Sequence, residues 1–359
     1  MAIYSSPLKI GNLAVHSRVL QSPSLRLGSG QVSGVTDLVF RRLVRRFAPD
    51  SMLYRSMVNA TEISQLQELP QLMVIGDKEQ PISMQLFDCR PDFMAMAAEK
   101  AVKEGAMTID INMGCPVNKI TKKGGGPSLL RQPEIAEQIV REVVGAVSVP
   151  VTVKTRLGWN AQEINIIDFA RRLEDAGAQM LTLPLRLGSG QDARTREQGY
   201  HGPADWQWIK RVKEVLSIPV IANGDIVSGS AAINCLEFTR ADGVMCSRGT
   251  LGYPYLVGEI DYYLKTGKKL PKPTPSTWLR ASSIDLLSLA KEHLQGLWLY
   301  KGQRGIWQAR KHLAWYCQDF TGAAVWRDRF SRIESLGEGC DLIDGAIAQL
   351  NLENENIYR

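Results

Sequence analysis

The sequence lacks the features that mark membrane and secreted proteins. Nowhere do about 18 apolar residues run together, which is the length that a membrane-spanning helix needs. The stretch from Met1 to Arg18 mixes polar and apolar side chains without the basic-then-apolar order of a signal peptide. We therefore expect a cytoplasmic protein with no membrane partner.

Closely spaced cysteines and strong charge are also missing. The six cysteines are scattered, and none stands in a CxxC spacing. The scattered positions of the cysteines argue against a disulfide framework and against a zinc site, so we expect no bound metal. A net charge of +6 over 359 residues permits a polyanionic partner without requiring one.

Short apolar runs alternate with amphipathic stretches from Arg18 to about Leu256. The amphipathic stretches have helical periodicity, and glycine or proline ends most of them. Apolar strands that alternate with helices form a parallel sheet, and eight such units favour a closed (β/α)8 TIM barrel. The eight predicted strands are Val19–Ser22, Met52–Met57, Ile82–Leu86, Met107–Asn112, Val151–Lys154, Met180–Leu183, Val220–Asn223 and Gly243–Cys246.

A proline-rich stretch separates the barrel pattern from a second region. Gly267–Ser276 holds three lysines and three prolines, so it is unlike a continuing helix, whereas the chain beyond it is helical in pattern. We predict a barrel domain in residues 1–265, a linker in residues 266–276 and a C-terminal helical domain in residues 277–359.

The heptapeptide Leu-Arg-Leu-Gly-Ser-Gly-Gln occurs twice, at residues 25–31 and 185–191, each time just after a predicted strand. Two distant copies are too few for a solenoid repeat. The favoured interpretation is the insertion of a repeated genetic element or an assembly artefact. A glycine-rich phosphate-binding loop is the alternative.

Barrel enzymes build their sites from residues at the C-terminal ends of strands. Here the fourth predicted strand is followed by Cys115 and then by a loop rich in lysine and glycine. A cysteine on such a loop can deliver a proton to a carbon that has just received hydride. The alternative is a small buried apolar residue, which is what a single cysteine more often is.

The fifth predicted strand places two cations on one side. Lys154 and Arg156 are two residues apart, so their side chains point the same way along a strand. A lysine there can stabilise the N1/O2 edge of an anionic reduced flavin, and Arg156 can meet a substrate carbonyl or phosphate. A pair of salt bridges at the barrel mouth is the alternative.

Glycines and an arginine follow the seventh and eighth predicted strands, where barrels commonly bind phosphate. This pattern favours a phosphorylated cofactor, although glycines that only let the chain turn would look the same. The residues concerned are Asn223, Gly224, Asp225, Ser247, Arg248 and Gly249.

The segment Lys291–Tyr316 interleaves basic and aromatic residues, a pattern that suits RNA because cations neutralise phosphates and unstacked bases rest on rings. The alternative is that Trp298, Trp307 and Trp315 form a helix core and the charges its solvated face. The basic residues are Lys291, Lys301, Arg304, Arg310 and Lys311.

Several motifs together resemble the bacterial tRNA dihydrouridine synthases, in the family's order and over nearly the whole chain. The pair NMGCP and VKxRLGW is the most specific. The motifs are Asn112–Pro116, Val153–Trp159, Arg194–Tyr200, Ala222–Asp225 and Ala309–Tyr316.

The resemblance implies that NADPH reduces FMN, and that the reduced flavin passes hydride to C6 of a flipped-out tRNA uridine while a cysteine protonates C5. Cys115 matches the proton donor, Gln85 and Lys154 match flavin-ring contacts, and Asn112 matches a contact near flavin and uracil. Further cofactor-binding positions are Ser22, Pro23, Asn223, Gly224, Asp225, Ser247, Arg248 and Gly249. The predicted substrate-binding positions are Arg156, Arg194 and, in the basic tail, Lys301, Arg304, Arg310 and Lys311. The resemblance also implies that the protein is a monomer.

The sequence departs from the family pattern near several of these positions. Ser22-Pro23 runs into the first heptapeptide, and Leu183-Pro184 leads into the second where the family has a flavin-contacting histidine. Arg55–Met57 replaces Ser/Thr-Glu-Met, and Asp88 and Ser247 replace glycines.

We predict a tRNA-dihydrouridine synthase that uses FMN and NADPH. A non-catalytic tRNA-binding protein that has lost flavin is the alternative from another class. A different FMN barrel oxidoreductase that acts on a small pyrimidine would leave the helical tail unexplained.

Overall fold

The computed structural model of the protein describes most of the chain. The described residues are 4–23, 25–28, 31–66, 75–76, 78–115, 118–160, 162–184, 206–268, 283–318, 320 and 322–357. The second heptapeptide, Arg194 and most of the predicted linker therefore lie outside the described residues, and the predicted domain boundaries stay predictions.

Eight parallel strands close into a barrel, which confirms the predicted fold class and all eight predicted strands. Each strand pairs with the next, and the first pairs with both the second and the last, through Gln21 with Leu53 and through Val19 with Val244. The barrel strands are β3 (Val19–Gln21), β6 (Leu53–Tyr54), β8 (Ile82–Phe87), β9 (Thr108–Asn112), β10 (Val151–Lys154), β11 (Leu181–Pro184), β12 (Val220–Asn223) and β13 (Gly243–Cys246).

Five further strands lie outside the barrel circuit. One antiparallel pair closes the N-terminal end of the barrel, because its buried side chains Leu8, Ile10 and Val15 pack on the residues at the starts of the barrel strands. The further strands are β1 (Leu8–Ile10), β2 (Leu13–Val15), β4 (Leu25–Gly28), β5 (Gln31–Gly34) and β7 (Val58–Asn59).

The first heptapeptide lies in a hairpin of its own. Strands β4 and β5 pair with each other in antiparallel register, from Leu25 with Gly34 to Gly28 with Gln31, and form a separate two-stranded sheet. The inserted residues therefore extend the loop that follows β3 and add no strand to the barrel.

Helices alternate with the barrel strands, and the described chain after the last strand is helical. Asp37 and Ser228 cap helices by accepting from backbone N–H groups, whereas proline occupies the first turn of others. The helices are α1 (Leu38–Phe47), α2 (Ala60–Ser64), α3 (Pro91–Lys103), α4 (Asn118–Thr121), α5 (Pro133–Ala146), α6 (Ile166–Asp175), α7 (Trp206–Val215), α8 (Gly229–Thr239), α9 (Leu256–Thr266), α10 (Ser283–Lys301), α11 (Gln303–Tyr316), α12 (Ala323–Phe330) and α13 (Leu336–Ile357).

The last four helices share an apolar core that reaches α1 of the barrel. Leu43 of α1 packs in the same cluster as Leu294, Leu313 and Phe330. A Cβ atom on Gly296 of α10 would lie 2.6 Å from Val39 of α1, so this glycine allows the two helices to approach closely. No helix among the residues described is long and apolar enough to cross a membrane.

Candidate active site

Three neighbouring barrel strands bring polar side chains together at their C-terminal ends. The register pairs Gln85 of β8 with Asp110 of β9, and Asn112 of β9 with Lys154 of β10. Gln85 and Asn112 are buried, and Asp110 is fully buried, although polar side chains seldom occupy such positions without partners. Each of these polar side chains therefore needs a hydrogen-bond partner inside the barrel.

The buried side chains form one hydrogen-bond chain. Asp110 accepts from Thr152 Oγ1 and from Gln85 Nε2, both at 2.6 Å. Gln85 Oε1 accepts from Asn112 Nδ2 at 2.9 Å. Asn112 Oδ1 in turn accepts from the backbone N–H of Cys115 at 2.9 Å. A carboxylate under the barrel mouth is thus connected to the loop that carries the candidate proton donor.

Burial and neighbouring charges shift two groups of this cluster in opposite senses. Burial raises the pKa of Asp110 to about 6, against the lowering effect of its hydrogen bonds and of Lys154. Burial lowers the pKa of Lys154, and the nearby Arg156 adds to this effect, whereas Asp110 and Cys115 oppose it. Burial therefore disfavours the charged form of both groups, and each charge partly offsets this effect on the other.

Close backbone contacts hold the loop around Cys115. A Cβ atom on Gly114 would lie 3.0 Å from the backbone of Thr155, and one on Gly126 would lie 2.9 Å from the carbonyl oxygen of Cys115. Gly126 also has a φ of +60°, a conformation that glycine adopts at no steric cost. Cys115 itself is partly exposed beside Asn112 and Lys154. Arg156, the predicted substrate contact, is buried next to them.

The opposite side of the mouth is built from β12, β13 and β3. Asn223 donates to the carbonyl of Met245 and to Ser247 Oγ, both at 2.8 Å. Asp225 follows in a left-handed conformation, with a φ of +51°, and pairs with the exposed Arg248 at 3.4 Å. The residues that were predicted to bind phosphate therefore lie together on this side of the barrel mouth.

Glycine has two different roles on that edge. Gly224 has a φ of +127°, which turns the chain after β12. A Cβ atom on Gly249 would lie 2.7 Å from the Leu256 side chain, so a larger residue here would displace that side chain. Ser22 extends β3 by donating its backbone N–H to Cys246 at 2.8 Å, and Pro23 follows it.

Two departures from the family pattern place charged side chains in buried surroundings. Among the described residues, only Asp88 has side-chain hydrogen bonds there; Arg55 Nε and Nη1 have none. Asp88 accepts from Asn59, Thr61 and Arg90, and these bonds outweigh burial and lower its pKa to about 2. Arg55 is buried, and burial lowers its pKa to about 9, with the like charge of Arg41 as the next cause. The contacts of Asp110 with Gln85 and Thr152, and those of Asp88 with Asn59 and Thr61, could not be predicted from spacing, because these partners are distant in sequence.

The six cysteines are all described, and no disulfide joins any two of them. No group of three metal-ligating side chains comes together in the described parts of the chain. Pro184, which precedes the second heptapeptide, ends β11 opposite Asn223.

The basic residues of the helical tail differ in their partners and exposure. Lys301 forms a 2.6 Å ion pair with Asp37 of α1 and donates to Gln308, so its ammonium group connects the tail to the barrel. Arg310 pairs with Glu334 at 2.5 Å and donates to a backbone carbonyl. Arg304 and Lys311 are exposed on α11.

One tryptophan of the tail lies largely outside the core. Trp307 is 52% exposed and lies between Arg304 and Lys311 along the surface of α11, because residues three or four apart share a helix face. Trp298 is 37% exposed. The alternative in which these rings are simply helix core is therefore wrong for Trp307.

The chain is similar to known proteins over nearly its whole length. The family model "Dihydrouridine synthase (Dus)" matches residues 31–352. A Synechocystis protein named "Probable tRNA-dihydrouridine synthase 1" is 63% identical over 350 residues, which are 98% of this chain and 92% of that protein. "tRNA-dihydrouridine synthase B" of Vibrio vulnificus is 36% identical over 339 residues, which are 94% of this chain and 98% of that protein.

A solved structure of a morphinone reductase mutant shares the barrel fold. The TM-score is 0.52 at 12% sequence identity, and the match covers 78% of this chain and 94% of that chain. At this identity the likeness concerns the fold alone. The family model and the curated relatives agree with each other, and the chain therefore belongs to the dihydrouridine synthase family.

Proposed function

We propose that this protein is a tRNA-dihydrouridine synthase that reduces a tRNA uridine to 5,6-dihydrouridine with FMN and NADPH. The observation that carries the proposal is the chain of hydrogen bonds that joins Asp110, Gln85, Asn112 and the Cys115 loop beside Lys154. These residues lie at the strand ends where barrel enzymes perform their chemistry.

The donors at the mouth fit a flavin ring. Lys154 offers an ammonium group, and Gln85 keeps one amide N–H and one oxygen lone pair beyond its contacts with Asp110 and Asn112. The Asn112 amide already contacts Gln85, Met57 and the Cys115 loop, so it orients the neighbouring groups. FMN, when bound, supplies the hydride for C6 of the uracil. Lys154 stabilises negative charge at the N1/O2 edge, and Gly224, Arg248 and Gly249 hold the phosphate.

Cys115 is proposed as the proton donor to C5. Its backbone N–H is anchored on Asn112, and Gly126 lies against its carbonyl oxygen, so the thiol-bearing loop starts from a fixed point. Proton transfer requires a donor within hydrogen-bond reach of the accepting carbon, so a fixed loop favours the reaction. Arg156 is buried beside the same cluster and is proposed to contact the uracil or its phosphate.

The tRNA is proposed to lie across the barrel mouth and the helical tail. Arg304 and Lys311, on either side of Trp307, offer cations for phosphates and a ring for an unstacked base. A uridine must leave its stack before a flavin can reach its face. We further propose that the protein acts as a monomer in the cytoplasm.

The direct experiment is to measure dihydrouridine in unmodified tRNA after incubation with the purified protein, FMN and NADPH. Cys115→Ala should retain flavin and tRNA binding but lose at least about 100-fold in turnover, the usual contribution of a general acid. Cys340→Ala is the matched control, because Cys340 is a partly exposed thiol in α13, away from the mouth. Undiminished turnover in Cys115→Ala would remove this residue from the mechanism.

A further inference from the structure

The hydrogen-bond chain below Cys115 has a direction that both of its ends define. Asn112 Oδ1 accepts from the backbone N–H groups of Gly114 and Cys115, at 3.1 and 2.9 Å. Backbone N–H groups can only donate, so the oxygen of this amide must face the loop and its nitrogen must face Gln85. The Asn112 amide can then donate to Gln85 only if Gln85 presents its oxygen.

The other end of the chain imposes the same direction. Asp110 receives two donors, Thr152 Oγ1 and Gln85 Nε2, one on each carboxylate oxygen. An ionised carboxylate can only accept, so Gln85 must turn its nitrogen towards Asp110 and its oxygen towards Asn112. Because Asp110 is fully buried, bulk water does not compete for these bonds.

We propose that Asp110 is a positioning residue: its two acceptor oxygens fix the orientation of Gln85 and Asn112, and through them the position of the Cys115 loop. This inference rests on the proposed function, because turnover depends on the loop only if Cys115 donates the proton. Asp110 itself does not touch the reacting atoms; it acts through two amides that would otherwise be able to turn over.

Replacing the carboxylate with an amide should disturb the whole chain. Asp110→Asn leaves one acceptor oxygen for two donors. In one orientation the new NH2 group opposes the NH2 group of Gln85. In the other it donates to Thr152 Oγ1, which can also accept, and the Thr152 O–H loses its acceptor. If Gln85 turns over to relieve the clash, its nitrogen opposes that of Asn112. Asn112 then turns its own nitrogen towards the N–H groups of Gly114 and Cys115, and the loop loses its acceptor.

A second substitution should repair the direction without restoring Asp110. In Asp110→Asn with Gln85→Glu, the carboxylate at position 85 accepts from the new amide on one side and from Asn112 on the other. The double variant also retains one negative charge in the cluster, so it separates hydrogen-bond direction from net charge. Gln85→Glu alone places two carboxylates together, which disfavours ionisation of both.

The test is the rate at which iodoacetamide alkylates Cys115 in the full-length protein, followed by peptide mass mapping so that Cys89 is scored separately. Loss of one well-placed hydrogen bond predicts a change of about tenfold in this rate for Asp110→Asn. The double variant should return to within about twofold of the original rate. Asp242→Asn is the control, because Asp242 accepts from a backbone N–H at the far end of β12.

Two results would overturn the proposal: an unchanged alkylation rate in Asp110→Asn, or a double variant that reacts like the single one. The thermal unfolding of each variant shows whether it folds, and Asp110→Asn should lower kcat with an unchanged KM for tRNA. Alkylation needs neither flavin nor RNA. If the rates behave as expected but no variant or parent forms dihydrouridine, the proposed function fails while the positioning role stands.

Discussion

The two sides of the barrel mouth are built differently. On the β8–β10 side, buried Gln85, Asp110 and Asn112 are joined by hydrogen bonds of 2.6 to 2.9 Å. On the β12–β13 side, the buried Asn223 also forms hydrogen bonds of 2.8 Å, but the arginine that is proposed to hold the phosphate, Arg248, is exposed and meets Asp225 at 3.4 Å. Buried, short hydrogen bonds specify one arrangement, whereas exposed ion pairs contribute little and adapt.

The heptapeptides accentuate this difference. They follow β3 and β11, and in the sheet these two strands flank β13 and β12. The strands after which both insertions begin therefore lie beside the strands that are proposed to grip the cofactor phosphate, and the hydrogen-bond chain below Cys115 is intact. The comparison predicts that the insertions weaken cofactor affinity more than they weaken the chemistry.

The largest expected effect is on the buried side. Lys154→Met removes the cation that is proposed to stabilise the reduced flavin, and turnover should fall by about 100-fold or more, as for other lost electrostatic donors. The measurement is dihydrouridine formation at saturating FMN. Arg248→Ala serves as the comparison, because it should weaken FMN binding but leave turnover at saturating FMN nearly unchanged. Equal effects on turnover would remove the distinction between the two sides.

Removal of both heptapeptides should have the next largest effect. Deleting residues 25–31 and 185–191 is expected to tighten FMN binding by about tenfold, equivalent to ~1.4 kcal/mol, because loops of ordinary length would again flank the phosphate side. Flavin fluorescence titration measures the change. An unaltered affinity would show that the insertions are tolerated and that the proposed weakness of this side is absent.

The tail offers a smaller effect that depends on salt. Arg304→Glu with Lys311→Glu should weaken tRNA binding several-fold at low salt and flatten its salt dependence, because fewer phosphate contacts release fewer counterions. Filter binding at several salt concentrations measures both. Lys291→Glu is the control, since Lys291 is already engaged with Asp344. Unchanged affinity in the pair variant would make the tail structural.

A further effect is on stability and requires a change of pH. The pKa of Asp110 is about 6 in the folded protein and near 3.8 when unfolded, so the folded state binds the additional proton between these values. The free energy of unfolding should therefore gain from this group as pH falls from about 7 towards 4. Asp110→Asn should lose that component, which denaturant titrations at several pH values can detect. An identical pH profile in the variant would contradict the assigned shift.

The fold was predictable from sequence because its signal is local. Each barrel strand is a short apolar run beside an amphipathic helix, and all eight predicted strands occur. Gln85, Asn112 and Lys154 were found through family motifs, and the structure brings them together. Asp110 was overlooked because its role depends on Thr152 and Gln85, which lie on other strands.

The helical tail shows what could not be predicted from composition. Lys301 looked like the other basic residues in the segment, yet its partner is Asp37, 264 residues away. Composition cannot separate a cation that joins two parts of the chain from one that meets RNA. Trp307 was likewise indistinguishable from a core residue until its exposure was known.

The most direct test of the account is the visible absorption spectrum of the purified protein, recorded before and after adding excess FMN. The account predicts a bound-flavin spectrum that appears or grows on addition of FMN and that persists in Cys115→Ala. A protein that stays colourless and takes up no FMN would contradict it and would favour a tRNA-binding protein without flavin chemistry.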